Sequence, residues 1–268
     1  MSAAVGIDVG GTKIAAGVVD PESGAIADRR EIPTGAERGG GAVLADVVEL
    51  AGALAAPGTP IGIGVPEIVD GRGRIRSTAN WDWRNADLGA AFAEVGAPRI
   101  VSDVAAAALA EARLGAGRGE PSFLYVSVGT GISTTLVLDG QPWPGADGRA
   151  IILGAPLVEG VAGGPAIPRA AGTPSAREAL ADPAHRGVVE AAAGALGLEL
   201  ARVVHATDPG LVVIGGGLGL NDDYRSLTAA ALCAALDPDC ALAPRIEPAR
   251  LGSDAGLIGA ALAAASPR

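Results

Sequence analysis

The stretch that decides the fold is residues 5–20, which reads Val5-Gly6-Ile7-Asp8-Val9-Gly10-Gly11-Thr12-Lys13-Ile14-Ala15-Ala16-Gly17-Val18-Val19-Asp20. Two short β-rich runs flank a glycine-rich turn, where glycines let the backbone close around a ligand and successive N–H groups can bind an anion. Lys13 can add a point charge to a phosphate, and Asp8 can hold a hydrated magnesium ion. A second strand follows the turn instead of a helix, so the stretch matches neither Walker A nor GxGxxG. An ordinary β-hairpin is the alternative interpretation.

Residues 126–139 repeat this pattern of apolar strand, glycine-rich turn, apolar strand and Asp. Val9-Gly10 falls on Val128-Gly129, and Val18-Val19-Asp20 falls on Val137-Leu138-Asp139. Ser127 takes the place of Asp8, so the two copies cannot do the same work. Two related hairpins predict two similar domains that face each other across a cleft and hold a polyphosphate from both sides.

Composition excludes several classes of protein. The net charge of −10 argues against a nucleic-acid partner. No apolar run is long enough to predict a membrane span, and the N-terminal residues lack the pattern of a signal peptide, so we expect a cytoplasmic protein without a membrane partner. The two cysteines, Cys233 and Cys240, form no metal-binding or disulfide pattern. The two histidines, His185 and His205, are predicted to be structural.

The rest of the chain alternates strands and helices, which predicts α/β layers with mixed sheets. Beyond the two hairpins, the predicted strands are 25–33, 61–66, 99–101, 211–214 and 245–251. The predicted helices are 42–55, 88–95, one that begins at Ser102 or Asp103, 159–170, 188–205, 225–236 and a closing helix from Asp254. Residues 172–183 are predicted to be rich in turns.

Three further segments carry possible chemistry. Asp103, at a strand-to-helix junction, is either an N-cap or a base that accepts a proton from a substrate hydroxyl. Gly215-Gly216-Gly217 follows a strand and is either a turn against which a nucleotide lies or a sharp connection. Residues 78–83 contain two tryptophans beside Asn80 and Asp82, which suits a polyhydroxylated ligand or a packing anchor.

Taken together, these motifs resemble the ROK family (repressors, open reading frames, sugar kinases) of the actin-like ATPase superfamily. The resemblance runs over nearly the whole chain. The matching motifs are Asp8–Lys13, Gly64-Val65-Pro66, Asn80 with Trp83, Ser102–Glu111, Gly129-Thr130-Gly131, Ile214–Gly217 and Leu251–Ala261. The resemblance implies an α/β fold of two actin-like (ribonuclease H-like) domains with a cleft between them. The implied domains are 1–101, with helix 255–268 packing back on it, and 102–254.

The resemblance also implies roles for individual residues. Asp103 would be the catalytic base, and Asp8 would hold Mg2+ through water. The residues that would bind ATP are Asp8, Gly10, Gly11, Thr12, Lys13, Gly129, Thr130, Gly131, Gly215, Gly216 and Gly217. The residues that would bind the polyhydroxylated substrate are Glu67, Asn80, Ser102, Asp103 and Glu159. The family also implies a homodimer.

Departures from the family pattern affect the acceptor side. The Glu-x-Gly-His segment reads Ile152-Leu153-Gly154-Ala155, and the cysteine-rich zinc loop is missing, so no zinc is expected. Ser102 replaces an Asn, and Glu67 replaces a Gly. No helix-turn-helix precedes residue 5, so the repressor branch is not expected. We therefore predict an ATP-dependent kinase for a sugar or sugar-like polyol (a cyclitol, amino sugar or deoxy sugar); the alternative is a non-catalytic sugar or nucleotide sensor.

Overall fold

The computed structural model describes residues 3–150, 155–236 and 243–266. The strands are β1 Ala4–Val9, β2 Lys13–Val19, β3 Ile26–Pro33, β4 Ile61–Val65, β5 Arg99–Ser102, β6 Ser122–Val128, β7 Ile132–Leu138, β8 Gln141–Pro142, β9 Leu211–Gly215 and β10 Arg245–Pro248. The helices are α1 Gly40–Leu54, α2 Leu88–Ala91, α3 Asp103–Leu114, α4 Ala155–Ala162, α5 Ala166–Ala171, α6 Ala176–Ala181, α7 Arg186–Thr207, α8 Gly216–Gly219, α9 Asp222–Ala235 and α10 Ala255–Ala265.

The strands form two five-stranded sheets of the same design, with orders β3-β2-β1-β4-β5 and β10-β9-β6-β7-β8. In each sheet the middle strand, β1 or β6, forms an antiparallel hairpin with the strand that follows it in the chain. On the other side of the middle strand lie two strands that run parallel to it, β4 and β5 in the first sheet and β9 and β10 in the second. The register also repeats, because Asp8 lies opposite Gly64 and Ser127 lies opposite Gly215. The predicted internal repeat of the two hairpins is confirmed.

Each sheet has its own hydrophobic core. Every residue of β4 is buried, as its continuous apolar sequence predicts for a central strand. Helix α1 covers the first sheet with Val43, Val47, Leu50 and Ala51, which share one helical face. Helix α7 covers the second sheet with a similar face that includes Leu196 and Leu200.

Helices α3 and α10 pack against each other, and α10 also lies on β1 and β4. Glycines make this close approach possible, because a Cβ at Gly62 would lie 1.8 Å from the Ala260 carbonyl oxygen, and one at Gly6 would lie 2.1 Å from that of Leu257. Between the helices, a Cβ at Gly259 would lie 1.7 Å from the Ala106 carbonyl oxygen. Larger side chains at these positions would force the elements apart. The division into domains 1–101 and 102–254 stays a prediction.

Several predicted elements differ from the structure. The predicted helix 159–170 is two helices, because Gly163 and Gly164 pack on the second hairpin turn, where a Cβ at Gly164 would lie 2.6 Å from the Gly129 carbonyl oxygen. The segment 172–183 contains helix α6, which the Ser175 hydroxyl caps by accepting from the Glu178 N–H. The predicted helix 88–95 is only the single turn of α2. Ile152 to Gly154, from the segment at the place of Glu-x-Gly-His, and Cys240 lie outside the described residues.

Candidate active site

Three carboxylates meet at one edge of the first sheet. Strands β1, β4 and β5 are parallel, so their carboxyl ends lie at the same edge, where α/β sheets bind ligands. Asp8 lies near the end of β1, Glu67 follows β4 and Asp103 follows β5. The charge of Glu67 raises the pKa of Asp103, and the charge of Asp103 raises the pKa of Asp8, so the three groups are electrostatic neighbours.

Asp103 is half-buried and is the first residue of α3. The N-cap of this helix is the buried Ser102, whose hydroxyl accepts from the Ala105 N–H at 3.3 Å. Asp103 Oδ1 accepts from the Val104 N–H at 2.7 Å, which fixes the carboxylate. Burial raises the pKa of Asp103 to about 6, with a further rise from Glu67, while backbone N–H groups oppose the shift. A carboxylate with this pKa is suited to general-base work near neutral pH.

Asp8 is half-buried, and its carboxylate has no hydrogen-bond partner among the described residues. Burial, the charge of Asp103 and that of Asp254 raise its pKa to about 7, and Lys13 opposes the rise. A magnesium ion normally keeps several waters and takes one or two carboxylates together with phosphate oxygens. An unpaired carboxylate at the cleft fits such an ion. In residues 3–150, 155–236 and 243–266 no group of three or more His, Cys, Asp or Glu residues could hold a metal by itself.

The first glycine turn is closed by the Gly10 N–H, which donates to the Lys13 carbonyl oxygen at 2.9 Å. The buried Thr34 supports it, because the Thr34 hydroxyl donates to the Gly10 carbonyl oxygen at 2.6 Å and the Thr34 N–H donates to that of Thr12 at 3.0 Å. The Lys13 ammonium is exposed and pairs with Glu31 at 2.9 Å. Exposed ion pairs contribute only about 0–1 kcal/mol, so a phosphate can replace Glu31 as the partner.

The second glycine turn is closed by the Gly129 N–H, which donates to the Gly131 carbonyl oxygen at 2.9 Å. Glu159, on α4, holds this turn, since its Oε1 accepts from the Ile132 N–H at 2.7 Å. Gly215-Gly216-Gly217 lies beside it. Gly216 has a φ of +80°, and a Cβ there would lie 2.4 Å from the Val128 carbonyl oxygen. The structure thus places the second glycine turn, predicted to hold phosphates, beside Gly215-Gly216-Gly217, predicted to hold the adenosine.

The segment 77–81 is organised by Glu67, whose carboxylate is buried. One oxygen accepts from the N–H groups of Asn80 and Trp81, and the other accepts from the Ala79 N–H and the Ser77 hydroxyl. Burial favours the neutral acid, but these bonds outweigh it and hold the pKa of Glu67 below its usual value. Both oxygens are already occupied, so Glu67 shapes the loop that presents the exposed Asn80.

The two tryptophans of this segment are packing anchors. Trp81 and Trp83 are buried and stack with ring centroids 5.3 Å apart. The Trp83 indole N–H donates to the Gly40 carbonyl oxygen at 2.8 Å. Of the two alternatives drawn from the sequence, the structure supports packing for both side chains.

Three residues near the site were given no role from the sequence, although two of them, Glu111 and Gly256, lie within the quoted family motifs. Glu111 of α3 is fully buried and accepts from the N–H groups of Ala116, Arg250 and Leu251 at 2.7–2.9 Å, which ties α3 to the segment before α10. Its signal in the sequence is a charge on the apolar face of an alanine-rich helix. Thr34 and Gly256 gave no such signal. A Cβ at Gly256 would lie 2.5 Å from Asp8 Oδ2, so this glycine leaves room for the carboxylate.

Comparison with known proteins decides the family. The model of the ROK family matches residues 4–159 and 158–266. The chain belongs to the ROK family. A ROK hexokinase from Thermus thermophilus is 35% identical with a TM-score of 0.78, and the match covers 98% of this chain and 97% of that one. A ROK family glucokinase from Streptomyces griseus, solved with glucose and AMPPNP, is 26% identical with a TM-score of 0.81, over 97% and 98% of the two chains. The predicted fold of two actin-like domains is confirmed.

The curated relatives are consistent with this membership. The bifunctional enzyme NanE/NanK of Brucella melitensis is 31% identical over an alignment of 289 positions that covers 99% of this chain and 54% of that enzyme. The chain therefore spans about half the length of this relative. A glucokinase from Halalkalibacterium halodurans is 29% identical, over 95% of this chain and 92% of that enzyme. Among the described residues, no helix is both long and apolar enough to cross a lipid bilayer.

Proposed function

We propose that the protein is an ATP-dependent kinase that phosphorylates a hydroxyl group of a sugar or sugar-like polyol. The observation that carries the proposal is the half-buried Asp103, held at the start of α3 at the edge of the sheet where Asp8 and the first glycine turn lie. The hexokinase and glucokinase relatives support a hexose-like acceptor, and the AMPPNP complex supports an adenine nucleotide as donor.

Asp103 orients the acceptor hydroxyl and takes its proton as the phosphoryl group is transferred. Its raised pKa, about 6, leaves it ionised at neutral pH yet basic enough to accept a proton. The Val104 N–H keeps the carboxylate in one orientation. Phosphoryl transfer needs positioning and charge stabilisation more than covalent chemistry, so a fixed carboxylate that orients the acceptor hydroxyl is suited to this reaction.

The donor is held by backbone groups. The N–H groups of Gly11 and Thr12 and those of Thr130 and Gly131 face the phosphates, while the N–H groups of Gly10 and Gly129 close the two turns. Lys13 adds a positive charge, and Gly215 to Gly217 lie against the adenosine. Asp8 would hold magnesium through water, and the ion would supply positive charge that stabilises the transferring group. Glu159 fixes the second turn through the Ile132 N–H, and we assign its second oxygen to the acceptor on the family pattern.

On the acceptor side we assign Asn80 and Ser102 to the sugar hydroxyls and Glu67 to positioning the Asn80 loop. The residues at the place of the Glu-x-Gly-His motif are outside the described part of the chain or have undescribed side chains. Their composition, with no acid and no imidazole, keeps a cyclitol, an amino sugar or a deoxy sugar among the proposed acceptors. A homodimer, the absence of zinc and the cytoplasmic location stay predictions.

The proposal is tested by incubating the purified protein with Mg-ATP and a panel of hexoses, amino sugars, deoxy sugars and cyclitols. We expect acceptor-dependent ADP release together with a phosphorylated product seen by mass spectrometry. If no acceptor gives turnover, but one of them raises the melting temperature together with ATP, the protein is a sensor and the proposal fails.

A further inference from the structure

A cavity of about 590 Å³ lies between the edge strands of the two sheets, and we call it the edge cavity. Its walls are the turn 69–73, residues 98–102 with β5, residues 141–144 with β8, the first turns of α3 and the end of α10. Neither Asp8 nor Asp103 lines it, and of the residues proposed for the acceptor it shares Ser102 alone. Its volume falls within the range of small-molecule sites, about 300–1,000 Å³.

Two guanidinium groups line the edge cavity without a partner. Arg72 is exposed and Arg99 is half-buried, and neither forms an ion pair with any residue that the structure describes. Arg74, in the same turn, is paired with Asp70 at 2.8 Å. In a chain with a net charge of −10, two unpaired arginines on one cavity are a local reversal of charge. Guanidinium groups bind phosphate with charge-assisted, often bidentate, hydrogen bonds.

The remaining lining suits a sugar ring. Trp143 is 51% exposed and lies between Pro142 and Pro144, so an indole face is available to a flat apolar surface. Gln141 supplies an amide. Thr135, on β7, is buried, and its hydroxyl has no hydrogen-bond partner. The hydroxyl oxygen is fully buried, so Thr135 is part of the cavity wall and is not counted among the contacts of the ligand.

We propose that the edge cavity is a regulatory site for a phosphorylated monosaccharide, with the phosphate on Arg72 and Arg99 and the ring against Trp143. The ligand would touch both sheets at once, through β5 on one side and β8 on the other. It would also lie against Ser102 and Ala105, which flank Asp103. Binding therefore favours one arrangement of the two sheets and alters the turnover. The effect on turnover rests on the proposed kinase activity, while the binding itself does not.

The test uses the full-length Asp103→Asn protein, so that turnover does not interfere, titrated with glucose 6-phosphate. Emission of the exposed Trp143 reports binding, since Trp81 and Trp83 are buried, and calorimetry measures the affinity. We expect saturable binding at least about tenfold tighter than that of glucose or inorganic phosphate, since each lacks one half of the contacts. Equal affinity for inorganic phosphate would mean a simple anion site and would overturn the proposal.

Variants separate this cavity from the cleft. Arg72→Gln and Arg99→Gln should each weaken glucose 6-phosphate binding about tenfold or more, whereas Asn80→Ala should leave it unchanged. If Asn80→Ala abolishes binding and the arginine variants do not, the ligand occupies the cleft as a product. If Trp143 emission shifts to the blue with protein concentration alone, a second copy covers the cavity. Either result refutes the proposal.

The source of the sugar phosphate is decided with the active enzyme. If the phosphorylated product from the acceptor panel binds the edge cavity and changes the initial rate in wild type but not in Arg99→Gln, the ligand is the enzyme's own product. If only other sugar phosphates do so, it comes from a different reaction. A protein that turns over no acceptor still gives the binding result, so failure of the kinase proposal is seen separately.

Discussion

Replacing Glu67 by Gln should loosen the loop that presents Asn80 and lower the stability of the protein. The carboxylate is 3% exposed and serves four donors, two on each oxygen. A glutamine amide has only one oxygen. One pair of donors would therefore face an NH2 group instead of an acceptor.

The structure gives the size of the effect. The Ser77 hydroxyl can rotate, and it already accepts from the Ile68 N–H at 2.8 Å, so the N–H of Ala79 is the group left unpaired. An unpaired buried N–H costs about 1–3 kcal/mol, and the loss of the charge at the remaining bonds adds about 1 kcal/mol. The total is about 2–4 kcal/mol, which lowers the melting temperature by at least about 4 °C for a chain of this size.

Two measurements check this prediction. Calorimetry of Glu67→Gln gives the melting temperature, with Glu37→Gln as the control, because Glu37 is exposed and accepts no hydrogen bond in the described structure. Hydrogen exchange reports the amides of residues 77–81, which should exchange faster only in Glu67→Gln. A melting temperature within about 1 °C of wild type together with unchanged exchange would refute the assigned role of Glu67.

Three further predictions concern the base and the glycines. The kcat should fall below a pH of about 6, since Asp103 must be ionised to take a proton, and a pH–rate profile without this acid limb would contradict the assignment. In Gly256→Ala the new Cβ would lie 2.5 Å from Asp8 Oδ2 and displace the carboxylate, so kcat, measured by ADP release at fixed Mg2+, should drop about tenfold or more. An unchanged kcat would show that Asp8 takes no part in the reaction. Gly259→Ala should lower the free energy of unfolding, measured by urea titration, by about 1–3 kcal/mol because α3 and α10 must separate. Gly194→Ala is the control: a Cβ there meets nothing within 4 Å, so the free energy of unfolding should rise by about 0.5–1 kcal/mol.

The fold was predictable because its signals are local and occur twice. The glycine turns interrupt apolar runs at matching points, and the same register, Asp8 opposite Gly64 and Ser127 opposite Gly215, follows from that repeat. The position of Asp103 after β5 was predictable for a similar reason, since a capping serine before an alanine-rich helix marks the start of α3.

Long-range partners could not be read from the sequence. Glu67 holds a loop and Glu159 holds the second turn, since each carboxylate accepts from backbone N–H groups distant in the chain, whereas the binding of substrate by these two residues stays a prediction. The break between α4 and α5 likewise comes from the contact of Gly164 with Gly129. Gly256 looks like any helical glycine until Asp8 is placed beside it. Such contacts depend on how elements meet, which no local pattern records.

The most direct test of the kinase assignment compares wild type with Asp103→Asn on the best acceptor of the panel. The substitution keeps the shape and the Oδ1 bond to the Val104 N–H but removes the basic oxygen. We predict that kcat falls at least about a hundredfold, the gain expected from a general base, while KM for ATP changes little and the melting temperature is unchanged or higher. Asp103→Asn turnover within about threefold of wild type, on a folded protein, would contradict the role of Asp103 as the base and with it the proposed mechanism.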